Sequence, residues 1–263
     1  GGVGKTTLAA LLAMIFAEEG RAVLAIDADP AACMADALGL PEDLAAELAP
    51  ISEMDDLIFE RTGAKPGTSG GFFSLNPRVD DLPDRFSVSH RGVKLLQMGT
   101  IDLGGSGCIC PESTLLRALV MHIVLARDEV VVMDMEAGIE HLGRATAEAV
   151  DKLIVVVEPG RRSIDTAEHI RKLAGQIGLS HIAVVGNKIR NDNDEAFLKN
   201  HLHTNGKSMN SRDDILKRLQ QSKQTDGEDL PSPLQDSVFF ADYPQNKHEL
   251  LDSFGRHFKD LSG

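Results

Sequence analysis

The chain has 263 residues, of which 42% are hydrophobic and 25% charged, and its formal net charge at pH 7 is −13. This predicts a folded globular protein whose length fits one large domain. The acidic charge, only 4% aromatic residues and no Lys/Arg cluster argue against a nucleic-acid partner. We find no secretory signal, no membrane-spanning stretch and no disulfide framework among three cysteines, so we expect a cytoplasmic protein with no membrane partner.

The first element is a phosphate-binding loop pattern: Gly1-Gly2-Val3-Gly4-Lys5-Thr6-Thr7. In such loops backbone N–H groups hold the phosphates of ATP or ADP, the lysine reaches the β- and γ-phosphates, and the first threonine binds Mg²⁺. We therefore predict all seven residues as nucleotide-binding, with Lys5 also catalytic and Thr6 a Mg²⁺ ligand. The full pattern needs a glycine two places before Gly1 and a strand leading into the loop, so we expect the native chain to begin upstream. The alternative is a glycine-rich turn that only starts a helix.

Helical segments then alternate with short apolar strands. The predicted helices are Lys5–Glu19, Ser113–Arg127, Gly143–Val150 and Ser163–Ile177. The predicted strands are Arg21–Asp27, Lys94–Gly99, Val130–Met135, Leu153–Val157 and Ile182–Gly186. Nearly continuous Val, Ile and Leu strands separated by helices indicate an α/β fold, with a mostly parallel sheet flanked by helices on both faces.

Two regions depart from this alternation. Residues 61–90 are rich in Gly, Pro and Ser and are interpreted as a loop-rich insertion, either functional or a solvated excursion. Residues 203–263 are polar and weakly periodic, with one last strand predicted at Val238–Ala241 and one last helix at His248–Leu261. We nevertheless predict a single P-loop ATPase domain over residues 1–263.

Acidic residues follow two of the predicted strands, as Asp27-Ala-Asp29 and as Asp134-Met-Glu136. Ligands of parallel sheets lie beyond the carboxyl ends of the strands, and phosphoryl transfer needs alignment and charge neutralisation there. We predict that Asp134 holds Mg²⁺ through water and that Asp29 positions the attacking water. Both are candidate catalytic residues. Strand-end acids also cap helices, and for Asp27 a structural role is equally open.

Asn187-Lys188 follows the predicted strand Ile182–Gly186. A side-chain amide carries a donor and an acceptor together, which matches the paired edge of adenine. Asparagine is also a common turn residue, so the spacing alone leaves both interpretations open.

Cys108-Ile-Cys110 lies in a glycine-rich loop before a helix. Residues two apart in extended backbone face the same side, so both sulfurs can bind one Ni²⁺ or Zn²⁺ ion. Two thiolates make half of a four-coordinate site, and a two-fold axis would bring the other pair from a second subunit. A redox-active dithiol and two buried small residues are the alternatives. Cys33, in an apolar helix-like setting, is predicted to fill the core.

Together the segments GGVGKTT, DADP, GGSGCICPE, VVVMDMEAGIEHLGR and VVGNKIRN resemble the CooC family. These are accessory ATPases of nickel carbon monoxide dehydrogenase maturation, within the MinD-like (SIMIBI) deviant-Walker P-loop ATPases. The resemblance runs from Gly1 to about His201. It implies a homodimer that forms on ATP or metal binding, in which the Cys108 and Cys110 pairs share one nickel, and it places Asn187 and Lys188 at the adenine.

The client implied by the resemblance is carbon monoxide dehydrogenase, or the related acetyl-CoA synthase. Two alternatives remain: a MinD-type ATPase whose product is the dimer itself, and an iron–sulfur scaffold ATPase. The chain departs from the family pattern in three places. From roughly His203 onward, the usual final strand and the Ile-Pro-Tyr-Asp-like loop of the family are not recognisable. The signature lysine would directly precede Gly1, and Ala31 and Cys33 stand where the family has asparagines.

Overall fold

The computed structural model describes residues 2–67, 72–99, 110–126, 129–136, 150–179, 181–202 and 237–242. The helices are α1 (Lys5–Glu18), α2 (Met34–Ala37), α3 (Glu42–Ala45), α4 (Asp55–Thr62), α5 (Leu82–Phe86), α6 (Pro111–Ala126), α7 (Arg161–Ile177) and α8 (Asp192–His201), with a 3₁₀ helix at Ile51–Glu53. The strands are β1 (Val23–Ala28), β2 (Val88–His90), β3 (Val93–Gln97), β4 (Val130–Met135), β5 (Leu153–Val157), β6 (Ile182–Ile189) and β7 (Ser237–Asp242).

The chain divides into two compact units. One contains Gly1–Lys5 and Val150–Gly263, and the other is Thr6–Ala149. The single domain expected over residues 1–263 therefore stays a prediction.

The Thr6–Ala149 unit is built on a sheet with the strand order β2-β3-β1-β4. Strand β1 is parallel to both β3 and β4, whereas β2 pairs antiparallel with β3 at one edge. All six residues of β1 are buried, as expected for a central parallel strand made of Val, Leu, Ala and Ile. The register pairs Asp27 at the end of β1 with Asp134 near the end of β4.

Helix α1 of the same unit is apolar on every side between Leu8 and Ile15, and each of those eight residues is buried. A helix with no polar face belongs in the interior of a fold. Complete burial of a Leu or Ile side chain stabilises the folded state by roughly 1.5–3 kcal/mol relative to leaving that side chain exposed. The buried core of this unit also includes Leu24, Ile26, Leu95, Leu96, Leu115 and Leu119.

The other unit carries the strand order β5-β6-β7. Strands β5 and β6 run parallel from the pair Leu153 and Ile182 to the pair Val157 and Gly186, and β7 is antiparallel to β6. Between Gly186 and Ile189 the register with β7 shifts by one residue, which is a β-bulge. Helix α7 contacts β5 and ends at Gly178, whose φ of 86° is left-handed.

The described parts of the insertion at residues 61–90 are anchored by Arg61. Its guanidinium donates two hydrogen bonds to the Asp81 carboxylate, at 2.8 and 2.7 Å, and one to the Arg78 carbonyl at 3.1 Å. This hydrogen-bonded guanidinium holds the pKa of Asp81 below its usual range. The second half of the insertion also contains a short helix, α5, and the edge strand β2.

The predicted elements agree with the structure where their residues are described, and β4 and β5 agree to the residue. The last strand is confirmed as β7, whereas the predicted helix His248–Leu261 and nearly all of Gly143–Val150 lie outside the described residues. Helices α2 to α5 and α8 were not predicted. Within the described ranges, no helix combines the length and the apolar character that a membrane crossing requires.

Candidate nucleotide-binding site

The phosphate loop has the backbone that its glycines predict. Gly2 and Gly4 have φ values of 88° and 93°, and α1 begins directly afterwards at Lys5. The first N–H groups of a helix have no partner within the helix, and the helix dipole favours negative charge at that end. A left-handed glycine loop leading into a 14-residue helix therefore fits the phosphates of a nucleotide. Gly1 lies outside the described residues.

Gly4 packs directly against Asn187, so closely that a Cβ atom at Gly4 would collide with Asn187 Nδ2. The same Nδ2 donates a 2.9 Å hydrogen bond to the Val3 carbonyl. Asn187 is 6% exposed, so water does not replace this contact. The predicted base-binding asparagine therefore touches the phosphate loop itself.

Lys188 is held on both sides. Its backbone N–H donates to Asn187 Oδ1 at 2.8 Å, and its Nζ lies 2.9 Å from Glu158 Oε2 at the end of β5. Its φ of 58° is left-handed, which is uncommon for a residue other than glycine. Asn187 and Lys188 lie within β6, at its bulge, and not after the strand as the sequence suggested. Their contact with adenine stays a prediction.

In the Thr6–Ala149 unit, the Asp27 carboxylate is bound by the backbone of the turn that follows β1. Asp27 accepts hydrogen bonds from the backbone N–H groups of Met34 at 2.9 Å and Asp29 at 3.2 Å. Burial raises the pKa of Asp27 above its ordinary value despite these bonds. Because its carboxylate fixes the turn that follows β1, these contacts favour a structural role for Asp27 over a role in hydrolysis.

The catalytic roles of Asp134 and Asp29 stay predictions. Asp134 is 3% exposed and is the Cα partner of Asp27 at adjacent strand ends. Carboxylate oxygens are ligands that Mg²⁺ prefers, so the Asp134 carboxylate at its strand end fits Mg²⁺. Asp29 is half-buried, and its Oδ1 accepts from the Ala31 N–H at 2.9 Å. This local turn holds the Asp29 side chain beyond the end of β1.

Cys110 caps the start of α6. Its carbonyl accepts from the Thr114 N–H at 3.0 Å, and its thiol donates to the Ser113 hydroxyl at 2.9 Å. Cys110 is half-buried and Ser113 is buried. A thiolate at this position lies at the positive end of the α6 dipole. Cys108 lies outside the described residues, so the geometry of the pair stays a prediction.

Cys33 is exposed, so its predicted place in the core is wrong. The turn held by Asp27 leaves it at the surface directly before α2, where its thiol donates to the Ala31 carbonyl at 3.2 Å. Across the ranges described, no three His, Cys, Asp or Glu side chains form a metal-binding group.

Three contacts of the site escaped the sequence analysis: Asn187 to Val3, Lys188 to Glu158, and Cys110 to Ser113. The first joins residues 184 positions apart and has no local signal. Glu158 directly follows a predicted strand, and Ser113 is one helical turn after Cys110, so both had a signal in the sequence.

Comparison with known proteins agrees with this geometry. Residues 1–228 match the CobQ/CobB/MinD/ParA nucleotide binding domain. The chain belongs to this nucleotide-binding family. As a CobQ/CobB/MinD/ParA domain it has the P-loop α/β fold that the sequence predicted, and that prediction is confirmed.

Within the CobQ/CobB/MinD/ParA family, the chain is 52% identical to the carbon monoxide dehydrogenase accessory protein CooC of Rhodospirillum rubrum, over 75% of each chain. It is 48% identical to an uncharacterized ATP-binding protein of Methanocaldococcus jannaschii, over 76% of each. The predicted resemblance to the CooC family is therefore confirmed. Cobyrinic acid a,c-diamide synthase from Mycobacterium smegmatis, solved with ADP and magnesium, shares the fold with a TM-score of 0.50 and 20% identity, over 76% of each chain.

Proposed function

We propose that this chain is an ATPase that couples ATP binding and hydrolysis to the insertion of nickel into carbon monoxide dehydrogenase. The observation that carries the proposal is a phosphate loop at Gly2–Lys5 in the same chain as a cysteine pair whose second member, Cys110, directly precedes helix α6. The 52% identity to a carbon monoxide dehydrogenase accessory protein supports the choice of client. Acetyl-CoA synthase is the related client that the same residues would serve.

The ATPase part of the proposal assigns each residue one task. The backbone N–H groups from Gly2 to Thr7 and the Lys5 ammonium bind the phosphates, and the Thr6 hydroxyl and Asp134 hold Mg²⁺, Asp134 through water. Bound Mg²⁺ would neutralise charge that develops on the phosphate oxygens. Asp29 orients the water that attacks the γ-phosphorus, and ADP with its bridging oxygen is the leaving group.

The metal part of the proposal treats nickel as cargo. Cys108 and Cys110 bind it as thiolates, and the same pair of a second subunit completes four ligands around a two-fold axis. Metal binding then stabilises only the dimer. A dimer that ATP also favours would hold nickel while ATP is bound and release it after hydrolysis, because two ligands that prefer one state strengthen each other.

The test measures mass and metal content together on the full-length protein, with Ni²⁺ or Zn²⁺ and with ATP present or absent. We expect about one metal ion per two chains in the dimer, because a two-fold axis shares the site. Cys108→Ser and Cys110→Ser each remove the metal, whereas Cys33→Ser is the matched control, since Cys33 is exposed at the start of α2.

Three results would contradict the proposal. Unchanged dimerisation and metal content in Cys108→Ser would exclude the cysteine site. Dimerisation on ATP with no bound metal would favour a MinD-type function. A brown protein with iron and sulfide would favour a cluster scaffold.

A further inference from the structure

The strand β6 bulges at the point where it meets the phosphate loop. Between the pairs that Gly186 and Ile189 make with β7, two residues of β6 face one residue of β7, so the extra residue lies within Asn187-Lys188. A bulge bends a strand and redirects a side chain. Here the redirected side chain is Asn187, whose amide reaches the Val3 carbonyl.

The backbone of the bulge is strained at Lys188, whose φ is 58°. A left-handed lysine persists only where its surroundings hold it, and such residues cluster at functional sites. Two contacts hold this one: the N–H bond to Asn187 Oδ1 at 2.8 Å, and the Nζ contact with Glu158 at 2.9 Å. The first contact also fixes which way the Asn187 amide faces, because its oxygen accepts from Lys188 and its nitrogen must donate to Val3.

The loop is shaped to receive this amide. Gly4 leaves the space that Asn187 Nδ2 occupies, since a Cβ atom there would collide with it. The Val3 carbonyl accepts its hydrogen bond from Asn187 of β6, and this contact fixes the direction in which the carbonyl points. A carbonyl pointing at a phosphate would repel it, so the orientation of Val3 matters for anion binding.

We infer that Asn187 is a positioning residue for the phosphate loop, acting through the Val3 carbonyl and supported by Lys188 and Glu158. This rests on the nucleotide-binding part of the proposed function. It differs from the predicted contact with adenine, because a base-reading residue affects only ligands that carry the base. A loop-positioning residue affects every ligand that carries the phosphates, and it affects the loop before any ligand binds.

Asn187→Asp is the most selective variant. It keeps the size of the side chain and the acceptor for the Lys188 N–H, but it replaces the donor to Val3 with a second acceptor. Asn187→Ala is the second variant and removes both contacts. Asn193→Ala, an exposed asparagine of α8, is the matched control.

The first measurement is amide hydrogen exchange of the peptide covering Gly2–Thr7 in the nucleotide-free, full-length protein. We expect faster exchange in Asn187→Asp and Asn187→Ala than in wild type or Asn193→Ala, with the urea midpoint recorded to separate loop loosening from general destabilisation. The second is the affinity for Mg²⁺-tripolyphosphate, which has no base, beside ATP and GTP. All three affinities should fall by a common factor of about three to ten, the value of one lost hydrogen bond.

Unchanged loop exchange, or a loss of affinity for ATP alone with tripolyphosphate unaffected, would overturn the inference. Loop exchange tests the role of Asn187 even if tripolyphosphate binds too weakly for its affinity to be measured. A wild-type protein that binds no ATP would instead contradict the proposed function, and loop exchange would still test the role of Asn187.

Discussion

Asp27 and Asp134 are Cα partners on neighbouring parallel strands, and both are buried at 3% exposure. We assign them different roles. Asp27 is held by two backbone N–H groups of the following turn, which is the environment of a structural carboxylate. Asp134 stands at the adjacent strand end, in the position proposed for the Mg²⁺ site.

This difference predicts opposite effects of substitution. Asp27→Ala should lower the free energy of unfolding by about 1–3 kcal/mol, because it leaves the N–H groups of Asp29 and Met34 without their acceptor. Asp134→Asn should lower the rate of ATP hydrolysis by about a hundredfold or more. Urea unfolding and phosphate release at saturating ATP measure the two effects. The reverse pattern, with Asp27 needed for hydrolysis at normal stability, would exclude this assignment.

The glycines of the phosphate loop should not be equivalent. Gly2 and Gly4 both have left-handed φ, but only Gly4 faces a neighbour that a Cβ atom would strike. Gly2→Ala should therefore weaken nucleotide binding through backbone strain alone, and Gly4→Ala should weaken it more. In an Asn187→Ala background the extra effect of Gly4→Ala should largely disappear, as a double-mutant cycle on ATP affinity would show. Additive effects would mean that the contact between Gly4 and Asn187 does not matter for binding.

The Ser113 hydroxyl should increase the affinity of the proposed site for nickel. Its hydroxyl lies 2.9 Å from Cys110 Sγ, and it can turn to donate to a thiolate ligand. Ser113→Ala should weaken nickel binding by about tenfold, the usual effect of losing a hydrogen bond to a metal ligand. The measurement is competition with a coloured chelator, with Ser89→Ala, an exposed serine of β2, as control. Equal affinities in the two variants would remove Ser113 from the site.

The pair of Arg61 and Asp81 predicts a pH dependence of stability. The hydrogen-bonded guanidinium lowers the pKa of Asp81 from its ordinary value of 3.8. The stabilisation is therefore complete above the ordinary pKa and is lost as the pH falls through the lowered one. Asp81→Asn should be less stable than wild type by roughly 1 kcal/mol at neutral pH, since the pair is only partly buried.

The difference between wild type and Asp81→Asn should shrink as the pH falls from about 5 to about 2. Urea unfolding across this range measures it. Asp80 also titrates there, with a pKa lowered to about 2 by its hydrogen bond to Arg78, but it does so in both proteins. A stability difference that stays constant with pH would show that the charge of Asp81 contributes nothing.

Much of the site was readable from the sequence, because its signals are local. The loop Gly2–Thr7 needs glycines at positions of left-handed backbone, and β4 is visible as an apolar run that leads to the acid Asp134. The bounds of such strands follow from composition, since Val and Ile runs end where polar residues begin.

The remaining features depend on tertiary contacts that no local pattern encodes. Cys33 is exposed because of the turn that directly precedes α2. This turn is fixed by a hydrogen bond from the Met34 N–H to the carboxylate of Asp27, seven residues earlier. The direction of Asn187 follows from a bulge that only the pairing with β7 reveals. Helices α2 and α3 are four residues each, too short to show a helical period.

The most direct test of the central claim is the affinity of the full-length protein for Ni²⁺, measured once with a non-hydrolysable ATP analogue and once with ADP. We predict that nickel binds about five- to 150-fold more tightly in the ATP state, and that the protein in this state has the mass of two chains. Nickel should raise the affinity for the ATP analogue by the same factor. Equal nickel affinities in the two nucleotide states would contradict the central claim.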